Sequence, residues 1–139
     1  MRALRLLSCA ALSGAALLAS VTTASATPAP VELVAPSALT LTVTHDGITS
    51  EAPKVALLNC SLPAVSTHPK TADACRDLQL AQGDFAKLNP SGRRAACTME
   101  YDPFEVTATG TWRGKPVTHK ATYANPCVLA ASTGAVYRF

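Results

Sequence analysis

VTATGTWRGKPVTHKATY, Val106 to Tyr123, runs as two alternating segments on either side of a turn. Val106, Ala108, Gly110 and Trp112 alternate with Thr107, Thr109, Thr111 and Arg113. After Arg113-Gly114-Lys115-Pro116 the alternation resumes with Val117, His119, Ala121 and Tyr123. A period of two sends successive side chains to opposite faces of a strand, and turn residues between two such runs predict a hairpin.

Working outward, Ser37 to Thr44 carries the same signature, with Leu39, Leu41 and Val43 on one side and Thr40, Thr42 and Thr44 on the other. His45-Asp46-Gly47 ends that strand with turn chemistry, and the His45–Asp46 neighbours read as an ordinary Asx turn. Lys54 to Cys60 gives a second, more continuously apolar strand after Pro53. A helix is predicted from about Ala72 to Gln82, with Ala74, Leu78 and Ala81 on one face and Gly83 as its stop. Cys127 to Ala131 forms one or two further helical turns after Asn125-Pro126, Gly134 breaks them, and Ala135 to Phe139 reads as a last short strand. The expected architecture is α+β: an antiparallel sheet of about five strands with two short helices packed on one face, joined by short connections.

The first 26 of the 139 residues stand apart. Arg2 and Arg5 precede the uncharged run LLSCAALSGAALLA, and Ala24-Ser25-Ala26 supplies small residues at a cleavage point. Residues 1–26 therefore read as a secretory signal peptide, too short in its apolar run for a membrane span. The exported domain would be 27–139, with 27–36 an extended, proline-bearing arm, and no membrane association is expected after processing. Losing Arg2 and Arg5 from the 12 basic residues leaves them nearly balanced by 9 acidic ones. No stripe of basic residues with interleaved aromatics remains, so nucleic acid is not expected as a partner.

Cys9 leaves with the signal, and Cys60, Cys75, Cys97 and Cys127 stay, an even number in an exported chain. Two disulfides follow, from three possible pairings. A zinc site would need close Cys-x-x-Cys pairs, and there are none, so neither metal nor cofactor is expected. Enzyme chemistry is equally poorly supplied. His45, His68 and His119 fall near no nucleophile motif, and the cysteines are spoken for. Asp102 and Glu105 lie close in sequence beside a proline, a weak basis for acid–base catalysis. Trp112 and Tyr123 read as sheet-packing aromatics rather than a sugar platform.

One segment resists a purely structural account. CTMEYDP, Cys97 to Pro103, hangs Met99 between Thr98 and Glu100. On spacing alone, an incidental surface methionine beside a disulfide is the more economical reading. Yet Cys97 anchors the segment, Pro103 discourages continued sheet pairing, and the polar run Ser91 to Arg94 keeps it out of the core. A tethered loop presenting one flexible apolar anchor is what a substrate-like ligand of a hydrolase requires.

At this point a resemblance becomes specific. PSALTLTV, LNC…THPKTADAC, CTMEYDP, GTWRGKPVTHKATYANPC and the closing AVYRF together resemble the Streptomyces subtilisin inhibitor family over the whole of 27–139. That resemblance implies the pairings Cys60–Cys75 and Cys97–Cys127, a five-stranded antiparallel sheet with two helices, and a homodimer built on a sheet face. It implies a secreted serine protease inhibitor rather than an enzyme. Met99 would enter the S1 pocket and Met99–Glu100 would be the reactive bond. Ala96, Cys97, Thr98, Tyr101 and Asp102 would line the protease-contacting loop, and Asn125 would support it by hydrogen bonding. Thr98 stands where the family often has proline, and Glu100 where apolar or aromatic residues are more familiar. A long unbranched apolar anchor suits the pocket of subtilisin-like proteases and, less well, chymotrypsin-like ones. The competing reading is a secreted sandwich-type binding or adhesion domain that uses its Thr-rich strands and leaves proteases untouched.

Overall fold

The computed structural model of the chain describes residues 35–46, 51–89 and 96–139. The expected signal peptide, and residues 27–34 of the arm, lie outside the described residues. So do residues 47–50 and 90–95.

Among the described residues, two strand pairs are each followed by an α-helix: β1 (Ala38–His45), β2 (Lys54–Asn59), α1 (Thr71–Leu80), β3 (Phe104–Trp112), β4 (Lys115–Tyr123) and α2 (Pro126–Thr133). All strand pairings are antiparallel, in the order β2-β1-β3-β4. The two-residue turn between β3 and β4 holds Arg113 at φ 48° and Gly114 at φ 77°. Two left-handed residues in succession give the turn geometry whose twist matches that of the flanking strands.

The register carries the alternation across the whole sheet. Leu58, Leu39, Gly110 and Val117 form one inward row, and Ala56, Leu41, Ala108 and His119 the next. Leu41, Ala108 and Val106 are completely buried. On the same core α1 lays Ala74 and Leu78, and α2 contributes Leu129. The outer face carries Thr40, Thr42, Thr107, Thr109 and Thr118, with Val55 and Leu57 exposed on the edge strand β2. So β2 is half-buried, and its apolar run divides between the two faces.

α1 ends where Gln82 and Gly83 turn left-handed, the Gly83 N–H reaching back to the Leu78 carbonyl at 2.8 Å. A Cβ on Gly83 would lie 2.2 Å from the Trp112 indole, so glycine is demanded twice over, by φ and by packing. Cys60–Cys75 ties the end of β2 to α1, with Cα atoms 5.6 Å apart.

Ala135–Phe139 is not the last strand expected. It follows α2 as a turn that buries Ala135, Val136 and Tyr137 in succession, where a strand would bury alternate residues. The physical reason is where its backbone finds partners. Ala135 N–H donates to the buried Asp77 carboxylate at 2.8 Å, and Val136 and Arg138 N–H bond back to Thr133 and Ala135. The Val136 carbonyl faces His68 Nε2 at 3.1 Å. These backbone groups find their partners locally or on side chains rather than across a sheet edge.

That last contact makes His68 structural. Its Nδ1 accepts from Lys70 N–H at 3.0 Å, so the ring proton sits on Nε2 and donates to Val136. Burial pushes the His68 pKa down, partly opposed by the Val136 carbonyl. Folding thus holds the ring neutral, and the unfolded chain binds more protons once the pH falls below about 6.5. This contribution is complete above that value and is lost as the pH falls through it. Urea titrations at about pH 7.5 and pH 5.5 should show a lower midpoint at the acidic pH. His68→Gln should shrink the difference; an unchanged difference would remove His68 from the cause.

Candidate functional site

The sheet register gathers three chain segments at one end of the molecule. β1 finishes at His45, β3 starts at Phe104 and β4 finishes at Tyr123, and these three residues form the terminal inward row. The Ala96–Pro103 segment therefore runs into β3 at the place where β4 has just delivered Ala124 and Asn125 to the start of α2. Ala96–Pro103 itself forms neither helix nor strand.

Met99 is 99% exposed and Tyr101 is 78% exposed. Ala96, Thr98 and Glu100 are exposed as well, Cys97 and Asp102 are half-buried, and Pro103 is buried. An apolar side chain fully in water gains nothing from the hydrophobic effect, so its placement is not explained by folding. Behind it, Cys97–Cys127 joins the loop to the first turn of α2, with Cα atoms 5.7 Å apart.

Asn125 supplies the rest of the support. It is buried and caps α2, its Oδ1 accepting from Val128 N–H at 2.9 Å. That bond fixes the amide orientation, so Nδ2 is the donor on the other side. It donates to the Thr98 carbonyl at 3.1 Å and to the Glu100 carbonyl at 2.9 Å. The amide thus grips the backbone on both flanks of Met99. Further down, Asp102 N–H donates to the Ala124 carbonyl at 2.8 Å, and Asp46 N–H to Pro103 at 2.9 Å.

The carboxylates part company. Asp102 bonds His45 Nε2, while Glu105 pairs with Lys120 Nζ at 2.8 Å. They do not form a shared acidic site. The His45 partnership is the contact that sequence reading missed: 57 residues separate the pair, and the local His45-Asp46 pattern pointed to a turn. Only the register of β1 against β3 brings them together.

Comparison with known proteins converges on the same reading of the fold. The sequence profile of the subtilisin inhibitor-like family matches residues 35–125, well over half of the chain. The chain belongs to this family. A subtilase-type protease inhibitor of Streptomyces coelicolor is 40% identical over 133 residues, covering 94% of this chain and 88% of that protein. Plasminostreptin of Streptomyces antifibrinolyticus is 41% identical over 109 residues, covering 77% of this chain and 99% of the relative. Among solved structures, Streptomyces caespitosus sermetstatin in complex with Bacillus licheniformis subtilisin is similar at 34% identity and a TM-score of 0.58. That match covers 75% of this chain and 99% of sermetstatin.

Asn125 serves the helix and the loop with different atoms, which makes the two roles separable. Asn125→Asp keeps an acceptor for Val128 N–H and removes both donors to the loop. The buried carboxylate would face both carbonyls, so the thermal midpoint should fall, and proteolytic nicking within Cys97–Asp102 should accelerate by about tenfold more than nicking elsewhere in the chain. Equal nicking of both proteins would show that the amide does not hold this segment.

Proposed function

We propose that this chain is a secreted inhibitor of subtilisin-like serine proteases, acting as a substrate-like ligand through the Met99–Glu100 bond. The observation that carries the reading is the amide of Asn125 bonded to both carbonyls that flank a fully exposed methionine. Met99 fills the S1 pocket; Thr98, Cys97 and Ala96 run back along the non-prime side; Tyr101 and Asp102 lie on the prime side. Chymotrypsin-like enzymes, which also have apolar pockets, are weaker partners.

The chemistry belongs to the protease. Its nucleophile attacks the Met99 carbonyl as in any substrate and forms an acyl-enzyme, releasing the Glu100 amine. The disulfide on one side, β3 on the other, and the Asn125 amide bonded to a carbonyl on each side keep the two ends close, so the amine returns at high effective concentration and competes with water. Because the loop is ordered before docking, little conformational entropy is lost on binding. An interface of about 1,600 Å² is the expected size.

Export by the 1–26 segment would place the inhibitor where such proteases are met. A homodimer would use the Thr-rich outer sheet face, where Val55, Leu57 and Val65 are exposed. These residues provide the apolar surface such pairing needs.

Titration of active subtilisin with the purified protein should abolish activity at a stoichiometric end point. An unaffected protease would favour the adhesion-domain reading instead. Met99→Lys should redirect inhibition, gaining at least about a hundredfold against trypsin by offering its pocket a cation. Trypsin left untouched while subtilisin stays blocked would put the anchor elsewhere.

Glu100 generates a second expectation. Its carboxylate follows the reactive bond and must lose water on docking, at a cost unless the protease offers a donor or a cation. Glu100→Val should therefore tighten subtilisin inhibition by about fivefold or more. A constant that stays put or worsens would mean that the enzyme accommodates the charge.

A further inference from the structure

The Cys97–Cys127 bridge lies on the N-terminal side of Met99–Glu100. Once that bond is cut, no covalent link reaches the new amine except through β3, which begins at Phe104. The stub from Glu100 to Pro103 is then held by the Asn125 amide on the Glu100 carbonyl, by backbone bonds at Asp102 and Pro103, and by one side chain of its own, that of Asp102. Among the described residues, the ion-pair partner of Asp102 is His45.

We propose that His45 is a positioning residue for the prime side of the reactive bond, and that its pairing with Asp102 biases the exchange between cut and joined inhibitor toward the joined form. The inference rests on the reading of Met99–Glu100 as the reactive bond. His45 is well placed for the role. It ends β1, and its ring stacks on Phe104 with centroids 4.5 Å apart and planes at 17°. Phe104 is the first residue of β3, so the ring is fixed to the strand the stub leads into. The His45 side chain is only 16% exposed, against 39% for Asp102. The imidazole is therefore the rigid member of the pair and the carboxylate the mobile one. In the continuous loop the contact is made in full. In the cut form the stub can swing, and the contact is made only part of the time. The difference favours re-ligation.

The test uses the full-length processed protein with catalytic subtilisin, incubated until cut and intact inhibitor reach a steady ratio, read by mass spectrometry. His45→Ala should raise the cut-to-intact ratio by up to about fivefold, while inhibition in the first minutes is retained. His45→Gln, which keeps a donor for the Asp102 carboxylate, should rescue part of that rise. If circular dichroism shows that His45→Ala fails to fold, Asp102→Asn breaks the ion pair at constant size and should give the same rise. Equal ratios in wild type and variants overturn the proposal. Wild type cut elsewhere, or without any inhibition, overturns instead the assignment of the reactive bond on which it stands.

Discussion

A single buried amide connects the exposed methionine to the rest of the molecule. Asn125 has a short stem, one acceptor and two hydrogens, and each is committed: the oxygen to the first turn of α2, the hydrogens to the carbonyls of Thr98 and Glu100. Other side chains meet this demand incompletely. Aspartate has no donors, a hydroxyl has one hydrogen, and glutamine is a methylene too long to cap a helix from the same position. Pro126 follows at the first helical position, where its missing N–H is no loss, and Cys127 adds the covalent tie one residue later. Three consecutive residues thus start a helix and suspend a loop.

This economy matters because ordering a loop is expensive. Each residue fixed in one backbone conformation costs about 1–2 kcal/mol, so the handful of residues around Met99 represent several kcal/mol that a flexible peptide would forfeit on docking. Here folding has already met that cost, using the core beneath the sheet and two bridges that each contribute about 3 kcal/mol on the loop-entropy model. The same rigidity separates an inhibitor from a substrate: both can be cut, and only the one whose ends stay in place can be rejoined.

Much of this arrangement was legible in the chain. Strict alternation fixes β1, β3 and β4 together with their inward faces, because a period of two has no other compact solution. The face of Ala74, Leu78 and Ala81, followed by Gly83, marks α1 with nearly the right ends. Met99 and Asn125 became readable through family resemblance, since nothing in their spacing joins them. Ala135 to Phe139 misled because a short apolar run has the local look of a strand, and what decides its fate is whether a sheet edge or a buried carboxylate takes its N–H groups. Asp77, 58 residues away, takes one of them. His68 and His45 were illegible for the same reason: each acquires its meaning from a partner that only the tertiary fold supplies.

That dependence on the fold runs through the sheet register. His45, Phe104 and Tyr123 share a row because Leu39, Leu41 and Val43 face the core opposite Gly110, Ala108 and Val106. Gly110 seals the alignment: a Cβ there would lie 2.2 Å from the Ala38 carbonyl oxygen. Sliding β1 by one residue would turn those three apolar side chains outward and bring the threonines in. Each buried aliphatic side chain is worth about 2 kcal/mol, so the slip is forbidden by several kcal/mol before the loop is considered at all. The hydrophobic core therefore does more than hold the protein folded. By locking the register it sets where β1 stops, which ring stands behind Asp102, and where the chain emerges to cap α2. The positions of polar groups around an exposed methionine are fixed by apolar residues that never touch it.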